Sequence, residues 1–147
     1  FLEELGGKEV SDELPPLPAR DVADELEERG LDVPGSLLRA KILADHPLTW
    51  GMAPEAAVFS VGRPVFATSI PRAAADRRVI ATYPEGDILL SGYIEGEEQL
   101  AGKPAMVWLR SGRGQLVLFG FNPHFRASMG ATYKLLFNAL LLPEPAP

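Results

Sequence analysis

The stretch Ala105-Met106-Val107-Trp108-Leu109-Arg110-Ser111-Gly112-Arg113-Gly114-Gln115-Leu116-Val117-Leu118-Phe119 decides the fold. Its two apolar runs, 105–109 and 115–120, do not alternate between apolar and polar residues. A strand that is apolar at consecutive positions is covered on both faces, which points to a sheet layered with helices rather than a half-wet sandwich. The five residues between the runs include two glycines, which supply positive φ, so the pair reads as an antiparallel hairpin. Upstream, further β-type runs bounded by Gly, Pro and Asp fall at 37–43, 56–60, 64–69, 77–83 and 88–94. Downstream, residues 127–142 read as a helix. Met129, Tyr133, Leu136 and Leu140 form one stripe, widened by Leu135, Ala139 and Leu142, so this helix is expected to be mostly buried.

The N-terminal part has a different character. Residues 1–32 carry eleven acids and three bases, a local net of −8, whereas residues 33–147 carry nine acids and eleven bases, a net of +2. Pro15-Pro16-Leu17-Pro18 cannot be helix or central strand, because three of its four residues lack an N–H and have φ fixed. Pro18 suits the first turn of a helix running to Arg29, with Val22, Leu26 and Arg29 on one face and Gly30 as its stop. The acidic remainder of that helix reads as a solvated face. Three segments result: an acidic helical and linker segment at 1–33, an α/β domain at 34–142, and a proline-rich tail at 143–147.

The chain has 147 residues, 46% of them hydrophobic, and 14 basic against 20 acidic residues, a net charge of −6. That length supports one domain with a core that needs no staple. The absence of cysteine removes a disulfide framework, a thiol nucleophile and Cys-ligated zinc. Net acidity opposes a sequence-independent nucleic-acid binder, and the longest apolar runs fall short of the 18 or so residues of a membrane span. Phe1-Leu2-Glu3-Glu4-Leu5-Gly6-Gly7 reads as the last turn of a helix with a glycine stop. Two helices are few for six or seven strands, so a preceding βα portion of the domain is expected on another piece of chain.

Catalytic frames are scarce. None of Ser60, Ser69, Ser91, Ser111 and Ser128 stands in a Gly-x-Ser-x-Gly elbow, and neither His46 nor His124 begins a short zinc-ligand frame. Two clusters offer binding chemistry. Asn122, His124 and Arg126 follow the most apolar strand, where a strand end and the next helix can hold a carboxylate or phosphate; the plainer alternative pairs Arg126 with an acid and makes Asn122 a turn cap. His46 and Trp50 lie in Asp45-His46-Pro47-Leu48-Thr49-Trp50-Gly51-Met52, where Trp50 could stack on a sugar or base, or be a buried tryptophan beside a proline turn. The run Glu95-Gly96-Glu97-Glu98 could bind a cation or form a solvated turn. No catalytic residue and no metal ligand is expected in this chain.

A resemblance adds to this reading. The run Gly112-Arg113-Gly114-Gln115-Leu116-Val117-Leu118-Phe119-Gly120-Phe121-Asn122-Pro123-His124-Phe125-Arg126, followed by Lys134-Leu135-Leu136-Phe137-Asn138-Ala139-Leu140, resembles the C-terminal end of bacterial zinc carboxypeptidase-like proteins. Those carry a class I glutamine amidotransferase-like, flavodoxin-like domain after the peptidase domain. Pro34-Gly35-Ser36-Leu37-Leu38-Arg39, His46-Pro47-Leu48 with Gly51, and Leu89-Leu90-Ser91-Gly92-Tyr93 with Gly96-Glu97 and Leu100-Ala101-Gly102-Lys103 are similar too, so the resemblance spans nearly all of 34–142. It implies a secreted or periplasmic parent that removes C-terminal residues through a zinc-bound water, with the zinc in a catalytic domain outside this chain. It further implies an amidotransferase fold without amidotransferase chemistry, since no cysteine nucleophile is present. The expected function is a non-catalytic accessory domain whose partner is its own catalytic domain or another copy of itself. The alternative is a small-ligand-binding or oligomerisation module unrelated to a peptidase.

Overall fold

The protein is described here by a computed structural model in which residues 19–62, 65–68, 77–111, 114–127 and 129–142 are described. The proline connector, the N-terminal acidic stretch before Ala19 and the tail at 143–147 lie outside these residues. Among the described residues, eight strands and two short α-helices follow in the order β1 (Ala19–Asp21), α1 (Ala23–Glu27), β2 (Ser36–Ile42), β3 (Glu55–Ser60), β4 (Phe66–Thr68), β5 (Arg77–Thr82), β6 (Leu89–Ser91), β7 (Pro104–Ser111), β8 (Gly114–Phe119) and α2 (Tyr133–Leu141).

The main sheet has the order β3-β2-β5-β7-β8, with β6 also pairing β2, and β1 and β4 form a separate two-stranded ribbon. Every described strand pairing is antiparallel. The sheet curls, because the chain leaving β8 returns to β3 at an isolated bridge in which the Asn122 amide donates to the Phe59 carbonyl at 2.8 Å. The fold is therefore mixed α/β, with an antiparallel sheet and few helices. The β7–β8 hairpin is as the sequence indicates, but its ladder continues to a Ser111–Gly114 pair, so the connection is shorter than five residues.

Burial on both faces of β7 also holds, as Ala105, Met106, Val107 and Leu109 are at most 2% exposed. The cover is not two layers of helix. Val107 and Leu109 pack with Ala19 of β1 and Phe66 of β4. Met106 and Trp108, on the opposite pleat face, join the main core with Leu48 and Leu135. A strand ribbon thus covers one side of β7, and α2 with its neighbouring loop contributes to the other.

Both helices are shorter than expected. In place of a helix from Pro18, residues 19–21 form β1, because long-range pairing with β4 overrides local propensity. The Asp21 carboxylate accepts from the amides of Ala23 at 2.9 Å and Val65 at 3.1 Å, and the Val22 amide donates to the Val65 carbonyl. The Gly30 stop is confirmed. Gly30 has φ +95°, and the amides of Gly30 and Leu31 donate back to Glu27 and Leu26, the paired bonds of a Schellman cap. Helix α2 begins at Tyr133 rather than Ala127, since Arg126 and Ala127 hold φ of 46° and 57°, outside the right-handed helix. Its core face is Leu135 with Ala139 and Leu142. The helix is not mostly buried: Phe137, Leu140 and Leu141 are 56, 72 and 80% exposed.

Strand β6 covers only part of the expected 88–94. One oxygen of the Glu97 carboxylate accepts from the amides of Ile88 and Leu89, and Gly92 at φ +102° turns the chain out of the sheet.

Candidate functional site

The loop after β8 brings Asn122, His124 and Arg126 onto an exposed turn. Asn122 is engaged through its backbone with Phe59. Phe125 stacks on Phe59 with ring centroids 3.9 Å apart, and the Arg126 guanidinium lies 5.3 Å from the Phe125 centroid. Among the described residues no ion pair holds Arg126, and a cation–π contact stands where the plainer alternative put an acid. Ligands collect at strand carboxyl ends where neighbouring strands run parallel. Here β7 and β8 are antiparallel, and Asn122, His124 and Arg126 are all exposed.

The second cluster is built against α2. His46 starts a 3₁₀ turn at Pro47–Thr49, its Nδ1 accepting from the Leu48 amide at 3.2 Å. Its ring lies 5.9 Å from that of Trp108. Asn138 of α2 donates to the carbonyls of Leu48 at 3.0 Å and Trp50 at 3.1 Å, and Lys134 Nζ donates to the Gly51 carbonyl at 2.7 Å. The carbonyls of this loop are thus held against the helix, while the Trp50 ring points to solvent, 75% exposed, rather than being buried beside the proline. No hydrogen bond or ring contact between described residues joins His46 or Trp50 to the Asn122–Arg126 turn.

An acceptor role for Nδ1 keeps His46 neutral. Burial, and to a lesser degree the Arg78 charge, lowers its pKa from the ordinary imidazole value of 6.5. A histidine whose folded pKa is depressed contributes stability above its unfolded pKa and loses it as pH falls through the folded value. The drop in thermal midpoint from pH 7 to pH 5 is therefore expected to shrink in His46→Asn, whose side-chain oxygen can accept the same amide bond without titrating. Equal drops in the two proteins would remove His46 as the cause.

The run Glu95-Gly96-Glu97-Glu98 is a turn whose carboxylates have separate tasks. Glu97 holds the start of β6, and Glu95 accepts from the Tyr93 hydroxyl at 3.1 Å, a contact that raises the Tyr93 pKa. The bridge between Asp32 and Glu95 places these acids opposite one another, and both line, with Glu27, Leu31 and Val33, a cavity of about 500 Å³. Sequence spacing offers no signal for this cavity, because the bridge joins two turns far apart in the chain.

The broadest feature that sequence reasoning missed is an apolar face. Leu141 lies one turn after Phe137, Leu140 is its neighbour, and the Trp50 loop lies alongside through Asn138. Periodicity could not locate this face, since α2 is apolar on nearly every side. Among the described residues, no helix is long and apolar enough to cross a membrane. Comparison of the chain with protein-family models, curated proteins and solved structures finds no match.

Proposed function

We propose that the chain is a non-catalytic accessory domain that works by covering its α2 face with another protein surface. The observation that carries this reading is the exposed set Phe137, Leu140 and Leu141 on a helix otherwise docked to the core by Leu135 and Asn138, with Trp50 exposed on the loop that Asn138 holds. Large apolar side chains left exposed together on one helix are a recurrent mark of an interaction site. The resemblance makes the parent a secreted or periplasmic zinc carboxypeptidase-like protein, this antiparallel sheet the C-terminal part of an amidotransferase-like, flavodoxin-like domain, and the partner the catalytic domain or a second copy. Zinc belongs to that catalytic domain and not to this chain.

Two measurements test the reading. The purified chain is expected to hold no stoichiometric zinc after dialysis and to release no C-terminal residues from a peptide mixture; one tightly held zinc per chain, or such cleavage, overturns the accessory role. Sequencing of the source DNA upstream of the Phe1 codon is expected to show a His-x-x-Glu frame followed by a later histidine. A start codon directly before Phe1 overturns the link to a peptidase.

A further inference from the structure

We infer that the occupant of the α2 face is a second copy of the same chain, seated across a two-fold axis that pairs α2 with its counterpart. This rests on the accessory-domain reading and names its partner. The first argument is area. With the four side chains 56–80% exposed, and a free aromatic side chain offering 150–250 Å², the patch presents roughly 500 Å² of apolar surface. Two such patches pressed together bury about 1,000 Å², the size at which a specific interface begins, before a polar rim is added.

The second argument is charge. A two-fold interface brings each residue near its own copy, so any ionisable group close to the axis faces its like. Helix α2 has the sequence Tyr-Lys-Leu-Leu-Phe-Asn-Ala-Leu-Leu, with one charged residue. That residue, Lys134, is turned to the Gly51 carbonyl at the side of the helix. Of the two other polar residues, Asn138 gives its amide protons to the Leu48 and Trp50 carbonyls, and Tyr133 lies with its ring 6.1 Å from that of Phe137. Self-pairing of α2 therefore sets no row of like charges across the axis. An anionic membrane surface is a poorer occupant, because α2 offers it a single cation, Lys134, which is turned to the Gly51 carbonyl rather than set in a basic row.

Sedimentation velocity over about 1–200 µM tests the inference, that range bracketing micromolar association. The wild-type chain is expected to pass from monomer to dimer, with a concentration-dependent blue shift of tryptophan emission that Trp50→Phe abolishes. Leu140→Glu is expected to weaken the dimer about 100-fold, since it sets two carboxylates beside the axis in place of buried leucines. Leu140 is 72% exposed, so the variant should keep the wild-type thermal midpoint in its monomer. Leu116→Glu, on the exposed side of β8, should leave association unchanged. A chain that stays monomeric throughout, or a dimer that Leu116→Glu breaks and Leu140→Glu does not, overturns the second-copy inference. Either result leaves the accessory reading to be decided by zinc content and peptide cleavage.

Discussion

Gly92→Ala is expected to lower the unfolding free energy by about 3 kcal/mol, read as a fall in the urea midpoint at unchanged slope. Two costs combine at this position. Gly92 has φ +102°, a conformation that strains any residue with a Cβ. An added Cβ would also stand 2.8 Å from Ser36 Oγ and 3.1 Å from both the Gly35 carbonyl oxygen and the Ser36 Cα. The last two are backbone atoms and cannot rotate away. Ser36 cannot yield cheaply either, since it is 1% exposed and its hydroxyl clamps the backbone of Tyr93 through both the amide and the carbonyl.

Two control glycines separate these costs. Gly30 shares the positive φ, at +95°, but a Cβ there meets nothing within 4 Å, so Gly30→Ala is expected to cost only about 1–2 kcal/mol. Gly86 has neither a positive φ nor a neighbour, and Gly86→Ala should be neutral or stabilise by about 0.5 kcal/mol through the unfolded chain. Equal effects at Gly92 and Gly30 would mean that the turn at Gly92 relaxes away from Ser36. The β2–β6 junction would then be softer than its hydrogen bonds imply.

The sheet was legible where apolar runs are dense and bounded by turn residues, as in β7 and β8. In β7 the lack of alternation correctly signalled cover on both faces, whereas the equally unalternating β8 is at most half-buried and leaves Leu116 44% exposed; cover by a ribbon also looks the same in sequence as cover by helices. β1 was not legible, because its partner β4 lies more than 40 residues away and no local pattern in Arg20-Asp21-Val22 competes with the helical one. The start of α2 was hidden for a different reason. Arg126 and Ala127 are ordinary helix formers, and only tertiary structure holds them at positive φ. Of the candidate site residues, Trp50 shows the limit most plainly. Whether it lies in or out depends on Asn138, almost 90 positions further on, holding the loop by its carbonyls.

Leu135→Ala is expected to cost about 3 kcal/mol, within the usual 2–5 kcal/mol for emptying a buried leucine site, and to act first on α2. Leu135 is fully buried and is the α2 side chain with the deepest purchase on the core. A helix of nine residues has little stability alone, so α2 persists only while docked. Once Leu135 is truncated, the amide bonds from Asn138 to Leu48 and Trp50, and from Gln115 to the Leu142 carbonyl, must hold it at exposed or half-buried positions. Amide exchange protection at residues 133–141 should therefore fall further than that of β5 and β7, which keep their own ladder. Leu141→Ala is the contrast: at 80% exposure it should change the stability of the monomer by no more than about 0.5 kcal/mol. If α2 presents the face on which the protein associates, the two variants weaken the dimer for different reasons. Leu141→Ala removes contact surface from a folded helix, whereas Leu135→Ala releases the helix that carries it. Weakened association in both, with loss of α2 protection in Leu135→Ala alone, is the result expected; equal exchange in the two variants would show that Leu135 does not anchor the helix.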